Sequence, residues 1–152
     1  PSPSTAGIAN SADTESIAYD ANGRVVSHTT RRGEVLTYQY DALGRLTRKT
    51  VPERAGLDPT HTRDVFLAYD LFGNLTSARF DSATGEGTSF AYDALGRQTS
   101  ESQVMNGATR TIGSAYDVAG LRTQLTYPGG NTVQRVYDAL ARPSVIQVSN
   151  VD

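Results

Sequence analysis

The sequence predicts an all-β protein built from tandem antiparallel β-hairpins. Three observations support this fold class: a Tyr-Asp signal recurs six times, apolar and polar residues alternate before each signal, and no stretch has helical periodicity. The composition agrees, with 14 Gly, 8 Tyr, 4 Phe and no Trp. Tyr-rich strands joined by Gly-containing turns are typical of half-buried sheets.

The recurring signal is Tyr-Asp-x-x-Gly, followed by Arg in most copies. Successive tyrosines are separated by 21, 29, 23, 24 and 21 residues. The sixth copy carries Ala141 where the others have Gly. The predicted structural residues of the six copies are Tyr19, Asp20, Gly23, Tyr40, Asp41, Gly44, Tyr69, Asp70, Gly73, Tyr92, Asp93, Gly96, Tyr116, Asp117, Gly120, Tyr137 and Asp138.

Each residue type in the signal has a physical role in a turn. Tyr ends a strand, and Asp opens the turn because its carboxylate can accept the backbone N–H two residues later. Gly then takes the left-handed conformation that closes a type I turn with a bulge. Ala141 carries a steric cost in that conformation, so we expect the last turn to be distorted.

The segments between these turns predict about twelve short strands, two per repeat. Reading back from Tyr40 by twos gives an aromatic and apolar face, Tyr40, Tyr38 and Leu36, whereas Gln39 and Thr37 lie on the other face. One face should therefore pack while the other contacts solvent. A sheet of this width should curve, spiral or pack on neighbouring repeats.

The chain divides into a lead-in, a repeat region and a tail. Residues 1–15 are small and polar and are expected to be flexible, residues 16–148 hold the six repeats, and residues 149–152 form the tail. Residues 51–59 form an inserted loop rich in Pro and Gly. A length of 152 residues allows one domain with a real core. Because the chain starts at Pro1 without Met or a signal peptide, we expect an internal segment of a longer parent.

The composition argues against several function classes. The net charge of −2 gives no basic surface for nucleic acid, and no apolar run is long enough to insert in a membrane. The absence of Cys excludes disulfides and thiolate metal sites. No calcium loop, phosphate loop or nucleophile elbow is present, so we predict no metal site, no cofactor, no catalytic residues and no enzymatic function.

A few isolated residues are candidates for a function against this background. His28 and His61 are the two histidines, and Asp64 lies near His61 among many hydroxyl residues. A catalytic triad therefore stays open, although nothing points to one. Asn74-Leu75-Thr76 is an N-glycosylation triplet that matters only in a eukaryotic secretory context.

The recurrent Tyr-Asp-Ala-Leu-Gly-Arg-Leu stretch, complete at residues 40–46, resembles the YD repeats of Rhs proteins. The same repeats occur in the cocoon components of insecticidal toxin complexes and in the teneurins. Residues 127–132 resemble the second turn of these repeats, and the resemblance covers about residues 16–148. It implies a spiralling β-sheet that winds into a hollow shell, of which six repeats form a sector.

The resemblance also implies a function and partners. In bacterial members the shell encloses the C-terminal toxin domain of the same chain, often for competition between bacteria, and other members lie at the cell surface. The implied partners are neighbouring repeats and an enclosed toxin or cargo domain, and the implied location is secreted or cell-surface. The autoproteolytic Asp-Pro-x-Gly-Leu motif of the family is absent, because Asp58-Pro59 is followed by Thr60.

Two other functions remain open on the sequence. The repeated Tyr and Asp could form a ladder that binds carbohydrate or a protein partner, in which case several Tyr rings should be open to solvent. A shell requires most of them to be packed. Alternatively, the unpaired edge strands could pair between copies of the chain in self-association.

Overall fold

The computed structural model describes residues 14–149, and the described part is almost entirely β-structure. A short 3-10 helix, η1, spans Pro59–His61 between the fourth and fifth strands. The twelve strands are β1 Ser16–Tyr19, β2 Val25–Thr29, β3 Val35–Tyr40, β4 Leu46–Thr50, β5 Val65–Tyr69, β6 Leu75–Phe80, β7 Gly87–Tyr92, β8 Gln98–Met105, β9 Ala108–Tyr116, β10 Arg122–Thr126, β11 Thr132–Tyr137 and β12 Pro143–Ser149.

The strand order is the chain order, β1 to β12, and strands that are neighbours in the chain run antiparallel. No crossover connection interrupts this order in the described part of the chain. The all-β prediction of consecutive antiparallel hairpins is therefore confirmed. Most of the predicted flexible lead-in, residues 1–13, lies outside the described residues, as do residues 150–152 of the predicted tail.

The chain forms two compact units. The first comprises Pro1–Leu67 and Phe80–Ala83 and includes strands β1 to β4. The second comprises Ala68–Arg79 and Thr84–Asp152 and includes strands β7 to β12. Each unit consists of the same structural module, a hairpin closed by a Tyr-Asp turn, repeated along the chain.

The core that the length of the chain would allow is not formed by residues 14–149. No hydrophobic residue in the range 14–149 is fully buried, and Gly87 is the one residue of that range in the buried class. The physical reason is that a single sheet buries a face only against a second layer. The described residues include no second sheet and no packed helix. The strands are therefore held mainly by their hydrogen bonds and by contacts along the sheet.

The predicted alternation of faces is clearest beside each Tyr. The residue before the Tyr is exposed in all six repeats, whereas every repeat Tyr except Tyr19 is half-buried. Three residues before the Tyr, the difference in exposure between the two faces is smaller, because Thr37, Phe66 and Ser89 are half-buried rather than exposed. Side chains on both faces thus cover their neighbours.

The inserted loop contains a helical turn that was not predicted from the sequence. Asp58 caps η1 by accepting hydrogen bonds from the backbone N–H of Thr60 at 2.8 Å and its hydroxyl at 2.7 Å. The Asp-Pro-Thr order explains the turn, since Asp is a favoured cap and Pro fits the first helical position. Within residues 14–149, no helix is long and apolar enough to cross a membrane.

Candidate functional site: the Tyr-Asp turns and the contacts between repeats

The Asp of each repeat organises its turn, in most copies through both carboxylate oxygens. In the second repeat, Oδ1 of Asp41 accepts the backbone N–H groups of Leu43 and Arg45, each at 2.9 Å. Its Oδ2 accepts Nε of Arg45 at 2.7 Å. Backbone hydrogen bonds join Asp41 N–H to the Arg45 carbonyl and Gly44 N–H to the Asp41 carbonyl. The same arrangement recurs at Asp20, Asp93 and Asp138.

These hydrogen bonds favour the charged carboxylate. The backbone N–H and then the guanidinium of Arg45 hold the pKa of Asp41 below its usual value, and the corresponding Arg groups do the same for Asp20 and Asp93. At Asp70 and Asp138 the side chain at the fourth following position is the largest cause of the lowered pKa. These five turns are therefore built around an ionised Asp.

The left-handed residue of each turn is where the sequence predicted it. The five glycines have φ between 78° and 91°. Ala141 has φ of 60°, yet its N–H and that of Asp138 make the same two turn hydrogen bonds at 2.9 Å. The prediction that the last turn is distorted was thus wrong. The surrounding hydrogen bonds hold Ala141 in the strained conformation instead.

Most of the Tyr-Asp turns are followed by a second bulge, which is separate from the bulge predicted at the turn Gly and was not predicted from the sequence. In the second repeat Tyr40 pairs with Leu46 and Gln39 pairs with Arg48, so Thr47 has no partner in the ladder. Its hydroxyl donates to the Gln39 carbonyl at 3.2 Å. The hydroxyl residues at the same position of the last two repeats, Thr123 and Ser144, make the same bond to the carbonyl of the residue before their Tyr. A hydroxyl residue seven positions after most tyrosines was the available sequence signal.

The Tyr hydroxyls connect successive repeats. Tyr40 donates to the carbonyl of Val25, which lies six residues after the Tyr of the preceding repeat, at 2.8 Å. Tyr92, Tyr116 and Tyr137 donate at 2.9 Å to the carbonyls at the same position, those of Leu75, Gln98 and Arg122. Each of these tyrosines therefore joins its own hairpin to the previous one.

The Arg after the turn makes a second connection in the opposite direction. Arg24 lies over the ring of Tyr40 and Arg97 over the ring of Tyr116, each with 4.8 Å from guanidinium carbon to ring centre. Nη1 of Arg97 also donates to the carbonyl of Asp117 at 2.9 Å. No specific role for these Arg residues was predicted from the sequence, because their aromatic partner lies a whole repeat further along the chain.

Two repeats lack the Arg that follows the turn Gly or Ala in the other four. In the third, Asn74 replaces Arg, and its amide donates to Oδ2 of Asp70 at 2.8 Å. The glycosylation triplet therefore starts with a side chain that belongs to the turn. In the fifth, Leu121 replaces Arg, and its backbone N–H still donates to Asp117. The backbone turn thus tolerates loss of the cation.

The isolated candidate residues do not form a triad with one another. Asp64 accepts hydrogen bonds from Nη2 of Arg48 and from Val51 N–H, each at 2.8 Å, and Arg48 lies over Phe66. His61 is exposed in the loop, and Nε2 of His28 lies 3.4 Å from Glu15. In the described range, no three His, Asp or Glu side chains are grouped so that they could hold a metal ion.

The chemistry of the repeated residues is thus already used within the fold. The carboxylates accept turn hydrogen bonds, the hydroxyls donate between hairpins, and the guanidinium groups cover rings. Such an arrangement defines a tandem β-hairpin repeat protein whose signature residues join each hairpin to the next. The RHS Repeat family profile matches residues 19–55 and 69–109, just over half of the chain, and the chain belongs to this family.

Solved structures share the fold at low sequence identity. The TcdB2–TccC3 complex gives a TM-score of 0.64 at 18% identity over 90% of this chain. The complex TcdB2–TccC3–Cdc42 gives 0.60 at 17% over 82%, and a Photorhabdus luminescens Tc holotoxin pore gives 0.62 at 18% over 86%. The matched region spans 7% to 8% of those chains. No curated protein matches the chain in sequence.

Proposed function

We propose that this chain is a wall segment of an Rhs-type shell that encloses a toxin or another cargo domain of a longer, secreted or surface-exposed protein. The observation that carries the proposal is the connection between repeats. The hydroxyls of Tyr40, Tyr92 and Tyr116 donate to backbone carbonyls of the preceding repeat. The guanidinium groups of Arg24 and Arg97 lie over the Tyr ring of the following repeat. These contacts close the sheet between hairpins, which is what a continuous barrier requires.

The size of the match agrees with a sector rather than a whole shell. The chain spans less than a tenth of the Tc toxin chains that it resembles in fold. The absence of buried hydrophobic residues in the range 14–149 supports the same conclusion, since a single sheet without a second layer needs further parts of a parent protein. The mechanism would be exclusion: a hydrogen-bonded wall keeps solvent and proteases away from the cargo.

A binding module for carbohydrate or protein is the alternative. It requires open aromatic rings, and among residues 14–149 three are exposed: Phe72 at 89%, Tyr19 at 59% and Tyr127 at 43%. The interior repeat tyrosines are half-buried, and the hydroxyls of Tyr40 and Tyr116 are engaged, which favours the wall. Variants of Tyr127 and of Tyr116 should therefore distinguish the two functions experimentally.

Protease protection of the longer protein would test the wall function. We expect its cargo domain to resist digestion when the repeats are intact, and to be cleaved faster in Tyr116→Ala, which removes a ring and a hydroxyl that join two hairpins. The matched control is Tyr127→Ala, which should leave protection unchanged. Screening both variants on a glycan array tests the alternative.

The two functions give opposite outcomes. Cargo that is digested at the same rate with and without the repeats would overturn the wall function. Glycan binding that is lost in Tyr127→Ala and kept in Tyr116→Ala would establish the binding module instead.

A further inference from the structure

The junction between the third and fourth repeats lacks a contact that other junctions have. At Tyr40 and Tyr116 a guanidinium group of the preceding repeat lies over the ring, with 4.8 Å from guanidinium carbon to ring centre. Before Tyr92, Asn74 takes the place of that Arg, and its shorter side chain donates to Oδ2 of Asp70. Within residues 14–149, no guanidinium group lies over the Tyr92 ring.

A cleft of about 460 Å³ opens at this junction, in the interior of the repeat array. Its lining includes two rings of β7, Phe90 and Tyr92, and three residues of the two adjoining turns, Asp70, Phe72 and Asp93. All of the lining residues belong to the second compact unit. Phe72 is 89% exposed, so its ring is open to solvent. The cleft thus combines aromatic rings with carboxylates.

The electrostatics of the cleft favour a cation. The Asn74 amide at Asp70, and the Arg97 backbone N–H at Asp93, hold the pKa of each carboxyl below its usual value, so both are ionised at neutral pH. The third turn brings one positive charge fewer to its junction than the four turns with Arg. The other turn without Arg carries the apolar Leu121, whereas the amide oxygen of Asn74 can accept a hydrogen bond from a cation.

We propose that this cleft binds the guanidinium group of an arginine side chain on an incoming peptide segment. The inference goes beyond the wall function and does not depend on it. The guanidinium group lies over the Tyr92 ring, in the way that Arg97 lies over Tyr116. It donates to the carbonyl of Asp93, as Arg97 donates to that of Asp117.

An arginine within a peptide fits this cleft better than a lysine or a small cation. A planar guanidinium group can stack on a ring and still donate in its own plane to a carbonyl, which an ammonium group cannot do. The aliphatic stem of the arginine can contact Leu71 and Phe72, whose side chains are 99% and 89% exposed at the cleft. A free guanidinium ion has no stem to make this second contact.

NMR chemical-shift titration of the 152-residue chain with N-acetyl-arginine methylamide tests the site. We expect saturable shifts centred on the cleft residues, with a dissociation constant of about 1–10 mM. The corresponding citrulline derivative has the same shape without the charge and should bind at least about tenfold more weakly. The free guanidinium ion should bind about fivefold more weakly, because it lacks the stem.

Variants of the cleft separate occupancy from structure. Asn74→Arg supplies the guanidinium group from the chain itself and should abolish binding, whereas Asn74→Ala leaves the ring open and should change the dissociation constant by less than about threefold. Phe72→Ala should raise it about fivefold. Leu95→Ala changes the corresponding exposed residue of the fourth turn and should leave it unchanged.

Three results would overturn the site. They are equal binding of the citrulline derivative, unchanged binding in Asn74→Arg, and no saturable shift up to about 50 mM of the arginine probe. The dispersion of the amide signals shows in the same spectra whether each variant is folded. None of these results would affect the wall function, because protease protection of the cargo requires no cation in this cleft.

Discussion

The Tyr-Asp turns and the loops at the other ends of the hairpins follow opposite rules. All six Tyr-Asp turns have the same backbone hydrogen bonds, between Asp N–H and the carbonyl four residues later, and between the N–H of the left-handed residue and the Asp carbonyl. The second loops vary between repeats. They include turns with the same hydrogen bonds at residues 30–34 and 127–131, a loop with η1, and a tight Asn106-Gly107 turn with both φ values positive.

The constant register explains the difference. Each junction pairs the residue eight positions after one Tyr with the residue three positions before the next Tyr, so the variation in repeat length, from 21 to 29 residues, falls between these positions. The second loops take up this variation, except in the fourth repeat, where strands β8 and β9 are longer and the loop has only two residues. The Tyr-Asp turns are constrained because their side chains make the same contacts with the next repeat each time. The second loops also contact one another, but through a different pair each time, such as Arg54 with Glu34 and the Asn106 N–H with Glu86. Side-chain contacts between repeats, more than turn propensity, therefore fix which end of a hairpin is uniform.

Acid should affect five of the Tyr-Asp turns together and therefore give the largest effect. The folded-state pKa is lowered at Asp20, Asp41, Asp70, Asp93 and Asp138 from the usual 3.8. Their stabilisation is thus fully present above the unfolded pKa and is lost as pH falls through the lower, folded value. Thermal melts of the chain should be constant from about pH 7 to about pH 5 and fall steeply below about pH 4.

Replacing one of these carboxylates gives the control for the acid effect. Asp93→Asn should melt lower at neutral pH and lose less on acidification, because one turn no longer titrates. A melting temperature that stays constant down to about pH 2.5 would contradict the role of ionised Asp in the turns.

Gly87→Ala should be the most damaging single change, although it lies at a second loop. Gly87 has φ of 138°, and a Cβ there would overlap the carbonyl oxygen of Ala78 and lie 2.9 Å from the Cα of Arg79. Backbone atoms cannot move aside, so we expect a loss of about 3 kcal/mol or more in the free energy of unfolding. At Gly33 no atom lies within 4 Å of the position that a Cβ would take, so Gly33→Ala should lower the free energy of unfolding by only about 1–2 kcal/mol. Equal losses in chemical denaturation would show that β6 and β7 do not approach so closely.

Gly96→Val tests the left-handed position of a Tyr-Asp turn without any clash. Gly96 has φ of 78°, and no atom lies within 4 Å of the position that a Cβ would take, so backbone strain alone should cost about 1–2 kcal/mol. Ala94→Val, in the same turn at an exposed position, should change the unfolding free energy by less than about 0.5 kcal/mol. Unchanged denaturation of the Gly96 variant would refute the turn assignment.

Local chemistry was predictable from the sequence, whereas contacts across repeats were not. The turn residues, the strand number and the antiparallel order follow from Asp and Gly spacing and from alternation. The stacking of Arg24 on Tyr40 joins residues from different repeats, so no local pattern reveals it. The bulge at Thr47 lies on the strand after the turn, so the alternation that leads up to each Tyr does not reveal it. The length of the chain permits a core, but it does not supply the second layer that a core requires.

A substitution in the sixth repeat should give the smallest effect, and it should be a gain in stability. Ala141 holds φ of 60° at the position where five repeats have Gly, while the turn hydrogen bonds are kept. Ala141→Gly should relieve about 1–2 kcal/mol of left-handed strain, partly offset by the entropy of Gly, for a net gain of about 0.5–1 kcal/mol. Ala139→Gly, in the same turn at ordinary φ, should instead lose a similar amount. If both variants lose stability in chemical denaturation, the last turn is not left-handed at Ala141, and the uniformity of the Tyr-Asp turns ends at the fifth repeat.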